Sequence, residues 1–229
     1  MTNSNVGDGK AVIFDIDGVL IDSYRAHLQS WQQVARGYRR EMTEEDFSNT
    51  FGRTSREIIR ALWNELALSE EEIESFDQKK EAAFREIVAT DYPWMEGAED
   101  LIAALFEAGY RMAVGSSGPK ENVQLMLSQL SESKWITSAV SGSDVQYGKP
   151  HPEVFQLAAE KLEVSPERCA VIEDATAGIT AANAAGMISI GLASTGHRRE
   201  EYAEANHFVT HLSELSPAVI ANWIDQCSH

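Results

Sequence analysis

Short apolar runs that end in small or acidic residues recur along the chain. Four of these runs are Ala11–Phe14, Met112–Val114, Cys169–Ile172 and Ile188–Leu192. Continuous apolar runs of this length are typical of parallel strands that are buried on both faces of a sheet. We therefore predict that the four runs are strands of one parallel sheet.

Segments with helical periodicity lie between these runs. Ala98–Ala108 has apolar residues at three- and four-residue spacing, and Gly109 after it is typical of a helix end. Val154–Leu162 and Thr176–Ala185 are also predicted helices. Because strands alternate with helices, the sequence predicts an α/β fold with a doubly wound parallel sheet.

One long segment interrupts the alternation. Residues 24–91 show no strand pattern, and their apolar residues recur at helical spacing. We therefore predict an α/β core domain formed by residues 1–23 and 92–229, with an inserted α-helical cap domain at 24–91. Active sites of open α/β sheets lie at the carboxyl ends of the strands, so an insertion after the first strand is expected to act as a lid.

Composition and charge narrow the possible functions. Of the 229 residues, 19 are Lys or Arg and 36 are Asp or Glu, and the resulting net charge of −17 disfavours binding to nucleic-acid phosphates. Two cysteines are too few for a disulfide scaffold, and no apolar run approaches the roughly 20 residues of a membrane span. We expect a cytoplasmic monomer or weak homodimer with neither nucleic acid nor a membrane as partner.

Two pairs of acidic residues follow predicted strands. Asp15 and Asp17 come after the first strand, with Gly18 allowing a sharp turn, and Glu173 and Asp174 come after a later one. Carboxylates at the end of a buried strand are costly unless a cation or hydrogen bonds compensate them. The alternative is that they are solvated or helix-capping acids. Together the four residues form a set of oxygen ligands of the kind that Mg²⁺ prefers.

Polar residues between the two acid pairs fit phosphate binding. Ser116 follows a predicted strand and has a hydroxyl that can bind a phosphate oxygen. Ser117 belongs to the same turn, and Gly118 is expected to leave a backbone N–H open for the same purpose. Lys149 supplies positive charge in a strongly acidic chain. Taken alone, Ser116 could equally be a turn residue and Lys149 a surface residue.

These motifs resemble those of the haloacid dehalogenase-like superfamily, and most of all the branch that contains β-phosphoglucomutase and small sugar-phosphate phosphatases. The resemblance runs from about Lys10 to Ala193. The four motifs that carry it, in chain order, are Asp15-Ile16-Asp17-Gly18, Ser116, Lys149-Pro150 and Glu173-Asp174.

The resemblance implies a role for each matching residue. Asp15 is expected to be the nucleophile that forms an aspartyl-phosphate, and Asp17 the general acid and then the general base. Ser116 and Lys149 are expected to hold the transferring phosphoryl group. An aspartate at position 17 favours phosphate esters over the substrates of the dehalogenase and phosphonate-cleaving branches.

The same resemblance implies a magnesium site. Mg²⁺ would be held by a carboxylate oxygen of Asp15, the backbone carbonyl of Asp17 and the side chain of Asp174. Glu173 would assist through a water molecule or as an outer acid.

Candidate substrate-binding residues also lie in the predicted cap. His27 and Lys80 resemble the cap histidine and lysine of the mutase pattern. Gly52 and Arg53 lie in a predicted loop, where Arg53 or Arg56 could bind a sugar hydroxyl or a second phosphate. Each of these residues could also be an ordinary core or surface residue.

Departures from the mutase pattern favour hydrolysis. The mutase has an arginine three residues after the cap-loop glycine, where this chain has Ser55, and Gly118-Pro119-Lys120 replaces a lysine–asparagine pair. We therefore expect a Mg²⁺-dependent phosphatase that acts on a small phosphorylated metabolite, such as a sugar phosphate. A sugar-phosphate mutase is the alternative. A regulatory module phosphorylated on Asp15 without turnover is disfavoured by Asp17 and by the helical insertion.

Overall fold

The apolar runs form a six-stranded parallel sheet in the computed structural model, which describes residues 6–51, 54–195, 197 and 199–227. The strands are β1 (Ala11–Phe14), β2 (Arg111–Gly115), β3 (Ser138–Val140), β4 (Cys169–Glu173), β5 (Ile188–Leu192) and β6 (His207–Val209). Their order is β3-β2-β1-β4-β5-β6, and every neighbouring pair is parallel. This order reverses direction at β1, so the predicted doubly wound α/β fold is confirmed.

Helices connect the strands and form the insertion. The α-helices, in chain order, are α1 (Tyr24–Gly37), α2 (Glu44–Thr50), α3 (Ser55–Trp63), α4 (Glu70–Ala89), α5 (Ala98–Glu107), α6 (Lys120–Gln129), α7 (Glu153–Leu162), α8 (Thr176–Ala184) and α9 (Pro217–Cys227). Short 3-10 helices lie at Asn64–Leu66, Gly142–Asp144, Pro166–Arg168, Arg199–Tyr202 and Leu212–Glu214. Among the described helices, we find none that combines the length and the apolar character needed to cross a bilayer.

The chain divides into two compact units. One comprises Met1–Asp22 and Trp94–His229, and the other comprises Ser23–Pro93. These boundaries differ by one and two residues from those predicted between 23 and 24 and between 91 and 92. Ser23 belongs with the helices because its carbonyl accepts the first N–H bond of α1, from His27 at 2.9 Å. Trp94 belongs with the sheet unit because it forms an isolated antiparallel bridge with Ile21.

The core of the sheet unit explains why its strands are continuous apolar runs. Every residue of β1, β4 and β5 is buried. Helix α7 packs against β1, β2 and β3, and α8 packs against β4 and β5. Ile13, Phe155 and Val171 lie in the buried cluster between these elements. Burial on both faces removes the polar alternation that a half-exposed strand would show.

The helical unit has its own aromatic core. Trp31 on α1, Trp63 on α3 and Phe76 on α4 pack with ring centroids 5.3–6.0 Å apart. Helices α2, α3 and α4 each begin with a capping box, in which the N-cap hydroxyl and the third helical residue satisfy each other's backbone N–H. The predicted helical character of this segment is thus confirmed.

Candidate active site

Three acidic side chains meet at the carboxyl ends of β1 and β4. Asp15 follows β1 directly, and its N–H donates to the carbonyl of Ile172 on the neighbouring β4 at 3.0 Å. Glu173 is the last residue of β4, and Asp174 follows it. All three side chains are buried, and one carboxylate oxygen of each lies within 4.8 Å of the others. The parallel pairing of β1 with β4 therefore produces the acidic cluster.

Lys149 lies between two of these acids. Its Nζ is 2.6 Å from Asp15 Oδ1 and 2.6 Å from Glu173 Oε1, and it donates to the carbonyl of Gly115 at 3.0 Å. The same ammonium lies 4.7 Å from the centre of the Phe155 ring. Burial acts to lower the pKa of Lys149, but the carboxylates of Asp15 and Glu173 outweigh burial and raise it. The ammonium is therefore charged.

The cluster has three carboxyl groups but one ammonium, that of Lys149, which contacts Asp15 and Glu173. Burial raises the pKa of Asp15 to about 7, although Lys149 acts to lower it. Burial, followed by the nearby charges of Glu173 and Asp15, raises the pKa of Asp174 well above its ordinary value. Ionising all of these buried acids is unfavourable without a further positive charge, and a set of oxygen donors with this need fits a hard divalent cation.

Glu173 is already committed to other donors. Its Oε1 accepts from Lys149, and its Oε2 accepts the backbone N–H groups of Asp174 at 3.0 Å and Ala175 at 3.1 Å. A Cβ at Gly178 on α8 would overlap this carboxylate, so the glycine allows the helix to approach it closely. Glu173 therefore fits the role of an outer acid that fixes Lys149 and the turn after β4.

Asp17 and Gly18 form the turn that follows β1. Asp17 is half-buried and forms an isolated bridge with Ile21. Its charge contributes to the raised pKa values of Asp15 and Asp174, so its carboxylate lies near the cluster. Gly18 has a φ of +74°, and the Asp174 carboxylate fills the space that a Cβ there would need. The predicted need for glycine at this turn is thus both conformational and steric.

We expect Gly18→Ala to reduce stability and to displace Asp174. The positive φ alone costs a residue with a Cβ about 1–3 kcal/mol, and the overlap with the carboxylate adds to it. Urea unfolding should show a lower free energy of unfolding, and turnover should fall with it. Gly37→Ala is a matched control, because a Cβ there has nothing within 4 Å. Equal behaviour of the two variants would contradict the close approach of Gly18 to Asp174.

Ser116 lies in a tight turn after β2. Its side chain is buried, its N–H donates to Val140 at 2.9 Å, and its Oγ accepts the N–H of Gly118 at 3.0 Å. The Gly118 N–H thus has the Ser116 hydroxyl as its partner in this structure, and its contact with a phosphate stays a prediction. Ser117 is exposed, and its carbonyl packs so closely on Gly142 that a Cβ there would overlap it. Sequence reasoning missed this support from Gly142.

His27 and Lys80 meet inside the helical unit, although 53 residues separate them in the chain. Lys80 Nζ lies 2.9 Å from His27 Nδ1 and 2.6 Å from Glu81 Oε1. The His27 ring stacks on Phe84, with centroids 4.0 Å apart and planes at 7°. Lys80 is buried. The two predicted cap residues therefore form one polar pair on α1 and α4.

The predicted cap loop is described only in part. Gly52 and Arg53 lie outside the described residues. Arg56, the neighbouring arginine, forms an exposed ion pair with Glu70 at 2.5 Å. Its guanidinium therefore already has a carboxylate partner on α4.

Ser194 is a site residue that the sequence reasoning missed. Its Oγ donates to Asp174 Oδ2 at 2.7 Å, and His197 Nε2 lies 3.7 Å from the same oxygen. Its position was the one clue in the sequence: Ser194 closely follows the predicted strand Ile188–Leu192, at the same edge of the sheet as Asp15. A single serine after a strand has no motif to distinguish it from a turn residue.

Known proteins are similar to this chain in sequence and in fold. The model of the haloacid dehalogenase-like hydrolase family matches residues 12–192. A phosphorylated carbohydrates phosphatase of Thermotoga maritima is 30% identical over 182 residues, 78% of this chain and 82% of that protein. A validoxylamine A 7'-phosphate phosphatase of Streptomyces hygroscopicus subsp. limoneus is 31% identical over 209 residues, 90% of this chain and 95% of that protein. Among solved structures, a β-phosphoglucomutase from Clostridium difficile has a TM-score of 0.81 at 26% identity, covering 95% of this chain and 97% of that one.

Proposed function

Since this chain belongs to the haloacid dehalogenase-like hydrolase family, we propose that it hydrolyses small phosphorylated metabolites through an aspartyl-phosphate on Asp15. The observation that carries the proposal is the buried contact between Lys149 and Asp15 at the carboxyl end of β1, beside Asp174. A carboxylate nucleophile and a phosphate ester repel each other, and positive charge at the site reduces that repulsion.

Two in-line steps account for the reaction. In the first, a carboxylate oxygen of Asp15 attacks phosphorus, and the ester oxygen leaves with a proton from Asp17. In the second, water attacks the phosphorus of the aspartyl-phosphate, Asp17 takes the proton of that water, and phosphate leaves with the Asp15 carboxylate restored. Ser116 and Lys149 bind the non-bridging oxygens and support the charge that spreads onto them in both steps.

Mg²⁺ is the cation that we propose for the acidic cluster. Carboxylate oxygens of Asp15 and Asp174 and the backbone carbonyl of Asp17 would hold it, and Glu173 would remain an outer acid. When bound, the ion supplies positive charge that offsets the negative charge of the cluster and of the substrate phosphate. The donor set supports this choice because all of its members are hard oxygen ligands.

Sugar phosphates are the proposed substrate class. The relatives named as phosphatases act, by their names, on phosphorylated carbohydrates and on validoxylamine A 7'-phosphate. We propose that the helical unit is the cap domain and contributes substrate contacts through His27 and Lys80, whose Nδ1 and Nζ atoms lie 2.9 Å apart. Gly52, Arg53, Ser117 and Gly118 stay predicted substrate contacts. The cytoplasmic location expected from the sequence also stays a prediction.

A sugar-phosphate mutase is the second candidate. The similarity to the β-phosphoglucomutase structure supports it, with a TM-score of 0.81 over nearly the whole chain. The two functions differ in the acceptor of the second step, which is water in a phosphatase and a sugar hydroxyl in a mutase. Both use the same Asp15, so the acceptor distinguishes them and the nucleophile does not.

Phosphorus NMR tests both candidates in one experiment. The protein is incubated with Mg²⁺ and β-glucose 1-phosphate, seeded with a trace of glucose 1,6-bisphosphate, and then with a panel of sugar phosphates. We expect free phosphate to accumulate with at least one member of the panel. Accumulation of glucose 6-phosphate without free phosphate would identify a mutase. If neither the panel nor a generic aryl phosphate is turned over, the result would favour a regulatory module that is phosphorylated on Asp15 without turnover.

A further inference from the structure

One oxygen of the Asp174 carboxylate is enclosed by protein. Ser194 Oγ donates to Oδ2 at 2.7 Å, and His197 Nε2 lies 3.7 Å from it. The backbone of Gly18 packs against the same oxygen, which is the nearest atom to a Cβ built on that glycine. Every contact that the structure gives Asp174 oxygens within the described residues therefore falls on Oδ2. Oδ1 is the oxygen left to face a ligand.

Of these three contacts to Oδ2, the one from the Ser194 hydroxyl is a hydrogen bond. The 3.7 Å separation of His197 Nε2 from Oδ2 is too long for one. Ser194 is itself held in the loop after β5, because its backbone N–H donates to the Tyr202 hydroxyl at 3.3 Å. His197 is fixed independently through Nδ1, which lies 2.8 Å from Glu201 Oε2.

Glu173 does not offer a cation a second carboxylate oxygen in place of Oδ2 of Asp174. Both of its carboxylate oxygens accept hydrogen bonds, from Lys149 on one side and from two backbone N–H groups on the other. Counting contacts with the described residues, Glu173 and Asp174 thus present one uncommitted carboxylate oxygen, Oδ1 of Asp174. A cation at this edge would meet a single-oxygen ligand there.

Ions differ in how they use a carboxylate. Mg²⁺ requires near-octahedral geometry, whereas Ca²⁺ takes 6–8 oxygens and accepts carboxylates with one or both oxygens. We propose that Ser194 is a positioning residue that makes Asp174 a one-oxygen ligand and thereby selects Mg²⁺ over Ca²⁺. This inference rests on the proposed function, because it concerns the metal site of that reaction. Loss of the hydroxyl frees Oδ2 to bind the larger ion.

Metal affinity without substrate is the test. Isothermal titration calorimetry measures the Kd of Mg²⁺ and of Ca²⁺ for the wild-type protein, Ser194→Ala and Ser194→Thr. We expect Ser194→Ala to weaken Mg²⁺ binding by about tenfold, the lower end for a lost partner of a metal ligand. Ca²⁺ binding should weaken less or improve, so the ratio of the two Kd values shifts toward Ca²⁺. Ser194→Thr keeps the hydroxyl and should keep the wild-type ratio.

The outcomes separate this inference from the proposed function. If Ser194→Ala leaves the ratio unchanged, or shifts both Kd values equally, Ser194 does not select the ion, whatever the activity. If the wild-type protein turns over sugar phosphates and binds Mg²⁺ while that ratio stays fixed, only this inference fails. If the wild-type protein binds no Mg²⁺, the proposed metal site and this inference fail together. Equal thermal unfolding midpoints without metal exclude a folding defect as the cause of a shift.

Discussion

Replacing Asp15 with asparagine is expected to lower kcat by roughly 10⁴–10⁶-fold, the scale seen when an enzyme loses its nucleophile. The amide cannot form the acyl phosphate on which both transfer steps depend. Stability should be kept or increased. Burial raises the pKa of Asp15 to about 7, so above that pH the folded protein carries the full cost of ionising a buried carboxylate. Asparagine removes that cost.

Phosphate release and mass spectrometry measure this prediction. Wild-type protein quenched in acid during turnover should carry one added phosphoryl group, and Asp15→Asn should carry none. Asp22→Asn is a matched control, since Asp22 is an exposed acid a few residues along the same segment. A phosphorylated Asp15→Asn protein would place the nucleophile elsewhere.

Lys149→Met is expected to lower both kcat and the free energy of unfolding. Methionine keeps most of the aliphatic length but not the ammonium that contacts Asp15 and Glu173. Removing one member of a buried charge group leaves the others uncompensated, at a loss of about 3–5 kcal/mol. The lost lysine also leaves the phosphoryl oxygens without their positive partner, so kcat should fall together with the free energy of unfolding.

The pH dependence of that loss is a further check. Lys149 acts to lower the pKa of Asp15, so the pKa of Asp15 rises further without the ammonium. The ionisation of this buried carboxyl then opposes folding at high pH, and this cost disappears at low pH, where the carboxyl is protonated. Urea unfolding should therefore show a larger loss at pH 8 than at pH 5. Lys134→Met, which removes an exposed lysine 3.7 Å from Glu132, should change stability by no more than about 0.5 kcal/mol. A loss independent of pH would mean that Lys149 acts through packing alone.

The sequence predicts the central strands well because they are buried on both faces. The predicted run Ile188–Leu192 and β5 have the same bounds, and β2 and β4 extend their predicted runs by one residue or two. The edge strands β3 and β6 have no such apolar run. Each has three residues, two of them half-exposed. Pairing with a neighbouring strand, which no local pattern reports, defines them.

Three helix starts in the insertion carry a local sequence signal. Thr43, Thr54 and Ser69 each precede an acidic residue at the third helical position, and each forms a capping box. Apolar spacing predicts that the segment is helical but does not mark where one helix ends and the next begins.

The residues of the candidate site could also be predicted only in part, because some of their contacts depend on segments far apart in the chain. Asp15, Asp17, Glu173 and Asp174 lie at or just after the carboxyl ends of strands, so their common edge could be predicted from topology. The 2.6 Å contacts of Lys149 could not, because they depend on how the loop before α7 returns to the sheet. The bond from Ser194 and the engaged N–H of Gly118 depend on local turn geometry in the same way.

The order of the strands has a consequence for how the protein is made. Ala11 in β1 pairs with Arg111 in β2 and with Cys169 in β4, and the helical unit Ser23–Pro93 is synthesised before either partner. At roughly 5–20 residues per second, the wholly apolar β1 waits about 5–20 s on the ribosome for β2. Its unpaired edges are open to aggregation for that time. The yield of active protein should therefore depend on translation speed and chaperone supply as well as on the stability of the finished fold.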